Sequence, residues 1–135
     1  MDLDRALAIS ASGMAAQSAR LRVVAENIAN RDSTGQSPGA EPYRRKTVAF
    51  AARLDRALGA ETVQVARIGR APGELPQRFE PSHPAADSSG YLRTPNVDSL
   101  VENMDMREAN RSYSANLAVL ETTRGMLQRA IEALR

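Results

Sequence analysis

The chain contains no cysteine and no tryptophan, and its aromatic content is only 4%. Without cysteine it forms no disulfide and offers no thiolate to a metal or a substrate. Redox usage therefore says nothing of its compartment. Only one histidine, His83, is present. A metal site needs several converging ligands, so His83 is expected to be a loop histidine that caps backbone groups. Its neighbours Ser82 and Asp87 come without any motif that would build a nucleophile triad around it. Gly69-Arg70-Ala71-Pro72-Gly73 lacks the Lys-Ser/Thr ending of a phosphate loop. No catalytic constellation is found and no cofactor is expected, which argues against an enzyme.

Long apolar runs are missing as well. No stretch approaches the ~20 residues that a membrane-spanning helix requires. The opening residues MDLDRALAIS are acidic and lack a basic segment followed by an apolar run, so no cleaved secretory signal is expected. Lysine is nearly absent: Lys46 is the only one among 18 basic residues. The net charge is +2 over 135 residues. Residues 1–30 are balanced, residues 31–95 carry ten basic and seven acidic groups, and residues 96–135 come to −1. No segment has the dense cationic stripe that neutralising nucleic-acid phosphates needs.

What the chain does have is alanine and periodicity. Apolar residues make up 42%, but alanine buries little area per residue. Such a chain is expected to be marginal alone and to borrow stability from neighbours. Leu3, Leu7, Ser10, Met14, Gln17, Leu21, Val24 and Ile28 recur at spacings of four and three, which predicts one helix from Asp2 to about Asn30. Ala109, Tyr113, Asn116, Leu120, Thr123, Leu127, Ala130 and Leu134 repeat the spacing in the last third. Pro95-Asn96-Val97-Asp98 is a helix start with a capping Asn or Asp, and Glu102 suits its first turns. Gly125 weakens that helix by roughly 1 kcal/mol.

Between them, residues 31–95 hold all seven prolines and six of the eight glycines. Thr62 to Ile68 is the best strand candidate. Tyr43 to Leu54 carries apolar anchors at Tyr43, Val48, Phe50 and Leu54. Residues 71–91 are turn-rich, and each proline pushes its predecessor away from helix. The expected fold is mainly α. Two long terminal helices, 1–30 and 96–135, pair as an antiparallel coiled coil around a small irregular or β middle segment, 31–95.

At this level the residues also resemble a known family. Ser12-Gly13-Met14-Ala15-Ala16-Gln17, Arg20-Leu21 and Ala25-Glu26-Asn27-Ile28-Ala29-Asn30, followed by Thr34-Gly35, resemble the N-terminal signature of bacterial flagellar rod and hook proteins. Tyr43 to Val48, Phe50, Pro81 to Asp87, Gly90-Tyr91, Pro95-Asn96-Val97, Met104, Ala109, Arg111, Tyr113, Ala115 and Asn116 resemble the proximal-rod members. The resemblance implies a structural subunit of the basal-body proximal rod. Such a subunit passes the flagellar type III export apparatus without a cleaved signal. It then self-assembles with copies of itself and other rod proteins in the periplasm, into the tubular shaft that transmits torque and encloses the export channel. The residues assigned to assembly contacts are Leu3, Leu7, Met14, Leu21, Val24, Asn27, Ile28 and Asn30 in the first helix, and Tyr113, Asn116, Leu120, Leu127 and Leu134 in the second. Asn30 is also read as a helix C-cap that tolerates the left-handed region, and Asn116 as a polar residue that fixes register. Arg44-Arg45-Lys46 is either a patch for an acidic partner or a phosphate, which the resemblance places at a subunit interface, or a solvated surface. A different reading is a small helical module that binds nucleic acid or an acidic protein. Against it, the first helix sets only Arg5, Arg20 and Arg22 beside three acids.

Overall fold

A computed structural model describes residues 2–135. Helix α1 spans Leu3–Ala29. Strands β1 (Lys46–Asp55) and β2 (Ala60–Arg70) form one antiparallel hairpin, and β3 (Gln77–Phe79) and β4 (Tyr91–Arg93) form a second, shorter one. Helix α2 spans Ser99–Ala133.

The helix ends have local causes. Asp2 is the N-cap of α1 and accepts from Arg5 N, and Asp98 caps α2 by accepting from Leu100 N at 2.8 Å. Each side chain satisfies one of the backbone donors a helix start leaves open. At the far end of α1, Asn30 donates from Nδ2 to Glu26 O and accepts from Ser33 Oγ. Its φ is −105°, so it caps through its side chain and not by entering the left-handed region. Helix α2 runs straight through Gly125. A single glycine costs about 1 kcal/mol, and it is flanked by the buried Thr123 and the half-buried Leu127.

The β content corrects the sequence reading. The protein is 46% helix and 20% strand, an α+β chain and not a mainly α one. The candidate strand at Thr62 to Ile68 is the centre of β2, but β1, β3 and β4 were not anticipated. Asp55 Oδ1 accepts from Ala57 N and Leu58 N, and Gly59 closes the turn at φ +62°. This turn chemistry joins β1 to β2. Pairing runs from Lys46↔Arg70 to Asp55↔Ala60, with a bulge at Ala49/Phe50.

The two helices lie antiparallel. Gly13 faces Asn116, Arg20 pairs with Asp105, and Asn27 meets Glu102. The expected coiled coil is corrected too. The buried residues of α1 are Ser10, Ala16, Val23, Val24 and Asn27, and those of α2 are Glu102, Ala109 and Thr123. Apart from Val23 and Val24 these are small or polar groups, so a seam of large apolar knobs is not shown. The reason is that α1 divides its surface between α2 and the β1–β2 hairpin. The hairpin sits on α1 through the open edge of β2, where Val63 N donates to Ser12 Oγ at 3.1 Å.

Gln17 Oε1 is buried on α1 without a hydrogen-bond partner among the described residues. An unpaired buried acceptor costs about 1–3 kcal/mol. Gln17→Leu is expected to raise the thermal midpoint of the purified chain by several degrees. An unchanged or lower midpoint in a circular dichroism melt would show that the amide is satisfied in solution.

Candidate functional site

The most strongly built feature of the molecule lies at one pole, where the end of α1, the start of β1 and the start of α2 converge. At its centre is Asn27, which is 1% exposed. Its Oδ1 accepts from Lys46 N at 2.9 Å, and its Nδ2 donates to Lys46 O at 2.9 Å. The side-chain amide thus pairs with one β1 residue as a neighbouring strand would. Oδ1 also accepts from Tyr43 Oη at 2.7 Å, and Nδ2 donates to Glu102 Oε2 at 3.2 Å. Two donors and two acceptor positions are all used, which is the full capacity of an asparagine. An aspartate has no donors, and an apolar residue has neither donors nor acceptors.

Glu102 is 0% exposed. Its other oxygen accepts from Arg45 in a close ion pair. Arg45 is held by its backbone as well: its N donates to Asn96 Oδ1 at 2.7 Å, and its O accepts from Ala71 N at 2.8 Å. Asn96 therefore anchors the approach to α2 while Asp98 does the capping. Lys46 Nζ pairs with Glu26 Oε2 at 2.7 Å. Arg44 donates to the carbonyls of Ala71 and Gly73. All three members of the basic triplet thus have partners inside the chain, so it is neither a free cationic patch nor a solvated run.

The middle segment is tied on by a second, smaller set of contacts. Ala85 N donates to His83 Nδ1, which leaves Nε2 to carry the proton and donate to Thr34 Oγ1 at 3.1 Å. Phe79 and Tyr91 meet edge to face at 5.3 Å across β3 and β4. Gly90 turns there at φ +85°, and a Cβ on it would stand 2.8 Å from the Phe79 ring. Among the described residues no group of His, Cys, Asp and Glu could hold a metal ion, and no helix is long and apolar enough to cross a membrane.

Of the residues assigned to assembly, Val24 and Asn27 are buried, while Leu3, Leu7, Met14, Leu21, Ile28 and Asn30 are half-buried. Tyr113, Asn116, Leu120 and Leu127 are half-buried on α2, and Leu134 is exposed. Of this set the pole brings together Asn27 and, in the wall of the cleft beside it, Val24. Asn116 donates to Ser112 O of its own helix, opposite Gly13, and among the described residues it makes no bond across to α1. Glu102 was read only as a helix-start residue. Its signal was present: seven residues before Ala109, it continues the protected face of α2 by one heptad. A carboxylate on that face requires a cation, and Arg45 supplies it.

Removing one partner of a buried ion pair typically costs about 3–5 kcal/mol, whereas replacing both by apolar groups costs little. Glu102→Ala is accordingly expected to lower the urea midpoint sharply, and Arg45→Met with Glu102→Leu to recover most of the loss. Additive losses in that cycle would argue against a coupled pair. The pH dependence follows from the same pole. The Lys46 hydrogen bond and charge hold Glu26 below its usual 4.5, and Glu26 in turn holds Lys46 above 10.5. Burial raises the Tyr43 hydroxyl above 10.0. The Glu26 contribution is complete above its unfolded value and lost as pH falls through the lowered one. Those of Lys46 and Tyr43 are complete below their unfolded values and lost as pH rises through the raised ones. Denaturation midpoints should therefore fall above about pH 10, and Tyr43→Phe should reduce that alkaline loss. An alkaline limb unchanged in Tyr43→Phe would remove Tyr43 from this account.

Comparison with known proteins gives the family. The profile described as "Flagella basal body rod protein" matches residues 7–35, and "Flagellar basal body rod FlgEFG protein C-terminal" matches residues 88–133. The chain is 50% identical over 133 residues to the flagellar basal-body rod protein FlgC of Agrobacterium fabrum, covering 98% of this chain and 96% of that one. It is 42% identical to FlgC of Salmonella typhimurium, covering 91% of each chain. It is 35% identical to FlgC of Bacillus subtilis over 93% of this chain and 94% of that one. The chain belongs to the FlgC family of flagellar basal-body rod proteins, a family of structural components of the flagellum and not of enzymes.

Proposed function

We propose that the chain is a subunit of the proximal rod, stacked helically around a central channel with other rod subunits. In this arrangement α1 and α2 face the channel and the β1–β2 hairpin faces outward. The subunit reaches the periplasm through the flagellar type III export apparatus and transmits torque once assembled. The observation that carries this reading is the amount of apolar surface left uncovered on a thin core. Phe50, Leu54, Val63 and Ile68 are exposed on the hairpin, and Leu100, Met104, Val119 and Met126 on α2. Exposed apolar area of this kind marks interaction surfaces. Neighbours would cover it and supply stability by mass action. A marginal fold also suits a chain that must pass an export channel unfolded. The alternative of a nucleic-acid-binding module has no support in the family.

Deleting the chain's gene in its source bacterium should abolish motility and leave basal bodies without a complete rod. Resupplying the chain should restore both and place it in purified basal bodies. Ile68→Asp with Leu54→Asp should fold with an unchanged circular dichroism spectrum, yet enter basal bodies at least tenfold less. Full motility after deletion would end this reading.

A further inference from the structure

The chain's one histidine joins two segments that lie far apart in sequence. Thr34 stands on the turn that follows α1, and His83 on the loop between β3 and β4, 49 residues later. The ring uses both nitrogens: Nε2 lies 3.1 Å from Thr34 Oγ1, and Nδ1 accepts from Ala85 N at 3.0 Å. Pro84 has no N–H, so Ala85 N is the first backbone donor after the ring. Ala85 is buried, and a buried N–H without an acceptor is costly. A nitrogen that accepts carries no proton, so this geometry requires the neutral ring in its Nε2–H form.

The contact closes one side of a small cavity. Ala85 and Leu92 are buried there, and with Gly39 and Ala40 from the facing loop they line a space of ≈ 210 Å³. Among the described residues, the other side-chain bonds between residues 33–42 and 77–93 all come from Arg93, to Glu41 and to Gly39 O, and these groups are exposed. The His83 contact is therefore the better protected of two ties.

Histidine is the side chain that ordinarily changes charge between about pH 5 and 8, and this chain has one histidine and no cysteine. A proton on Nδ1 turns the acceptor into a donor that faces the Ala85 N–H, and the bond cannot form. The neighbouring charges are committed elsewhere. On the Thr34 turn, Arg31 pairs with Asp32. On the His83 loop, Glu80 pairs with Arg78, and Asp87 Oδ1 accepts from Ser89 N and Tyr91 N. On the facing loop, Glu41 pairs with Arg44 and Arg93. None of these carboxylates bonds the ring among the described residues, so none is placed to favour its charged form.

We propose that His83 is an acid-sensitive latch. Neutral, it ties the loop between β3 and β4 to the turn after α1. Protonated, it gives up Ala85 N and releases that loop. The unfolded ring takes the proton without losing a bond, so the contribution of the latch is complete at neutral pH and is lost as pH falls through the histidine range. The middle segment of the subunit is then fixed at neutral pH and loosened by acid, while the Asn27 pole, which contains no histidine, stays closed.

Because His83 is alone of its kind, its ring gives one set of signals in a long-range proton–nitrogen correlation spectrum of the labelled full-length chain. At about pH 7.5 those signals should be of the Nε2–H tautomer. Between about pH 7.5 and pH 5, the protection of the Ala85 amide against hydrogen exchange, corrected for the intrinsic rate, should fall at least tenfold. His83→Asn keeps an acceptor for Ala85 N in its Oδ1 and does not titrate, so there the same protection should change less than twofold. An Nδ1–H tautomer at about pH 7.5 overturns the latch. So does Ala85 protection that holds at about pH 5 in the wild-type chain, or that falls equally in His83→Asn. Should His83→Asn fail to fold by circular dichroism, the tautomer and the exchange of the unaltered chain decide the matter alone.

Discussion

Three separate segments of this chain are held in register by one side-chain amide. Asn27 closes the last turns of α1, pairs with both backbone groups of Lys46 at the start of β1, and reaches Glu102 at the start of α2. Burying an amide and a carboxylate in so small a core is costly unless every polar valence is met. Here they are met, by Tyr43, Lys46 and Arg45. The arrangement provides direction. An apolar cluster at this pole would tolerate slippage of the hairpin along α1, whereas a two-point pairing with a single strand residue does not.

The rest of the structure is adapted to that constraint. The helices approach closely because the residues between them are small: Gly13, Ala16 and Ala109. Close approach of small residues gains little burial, so the helix pair contributes less than its length suggests. A two-stranded hairpin is marginal by itself, and this one leans on α1 by its edge. The result is an elongated subunit with a firmly specified pole, a thin middle and uncovered apolar faces.

The sequence showed the helices well and the sheet poorly, for identifiable reasons. Asp2, Asn30 and Asp98 announce their ends by capping chemistry, and the four-three spacing traces the protected faces of both helices. The centre of β2 was legible in its β-branched residues. Strand β1 was hidden because it opens on Lys46 directly after two arginines, and its alanines at 49, 51 and 52 fall on both faces and blur the alternation. Strands β3 and β4 are three residues each, too short for any period to register. Coiled-coil pairing is not shown, because periodicity reports which face is protected, not what protects it. On α1 the hairpin shares that role. Asn27 stood out by its place in a motif, but its partners lie 16 to 75 residues away in sequence, and only the fold brings them together.

Native-state hydrogen exchange on the purified chain tests the central claim most directly, since it ranks local stability amide by amide. If the Asn27 pole organises the fold, the slowest amides are those of Val23 to Asn27, Lys46 to Val48 and Glu102 to Ala109. The hairpin tip near Gly59 and the exposed turns of α2 after Leu127 exchange far faster. Slowest exchange in the middle of the helix pair, around Gly13 and Asn116, with rapid exchange at Lys46, would contradict it. The pole would then be a consequence of helix packing and not its cause.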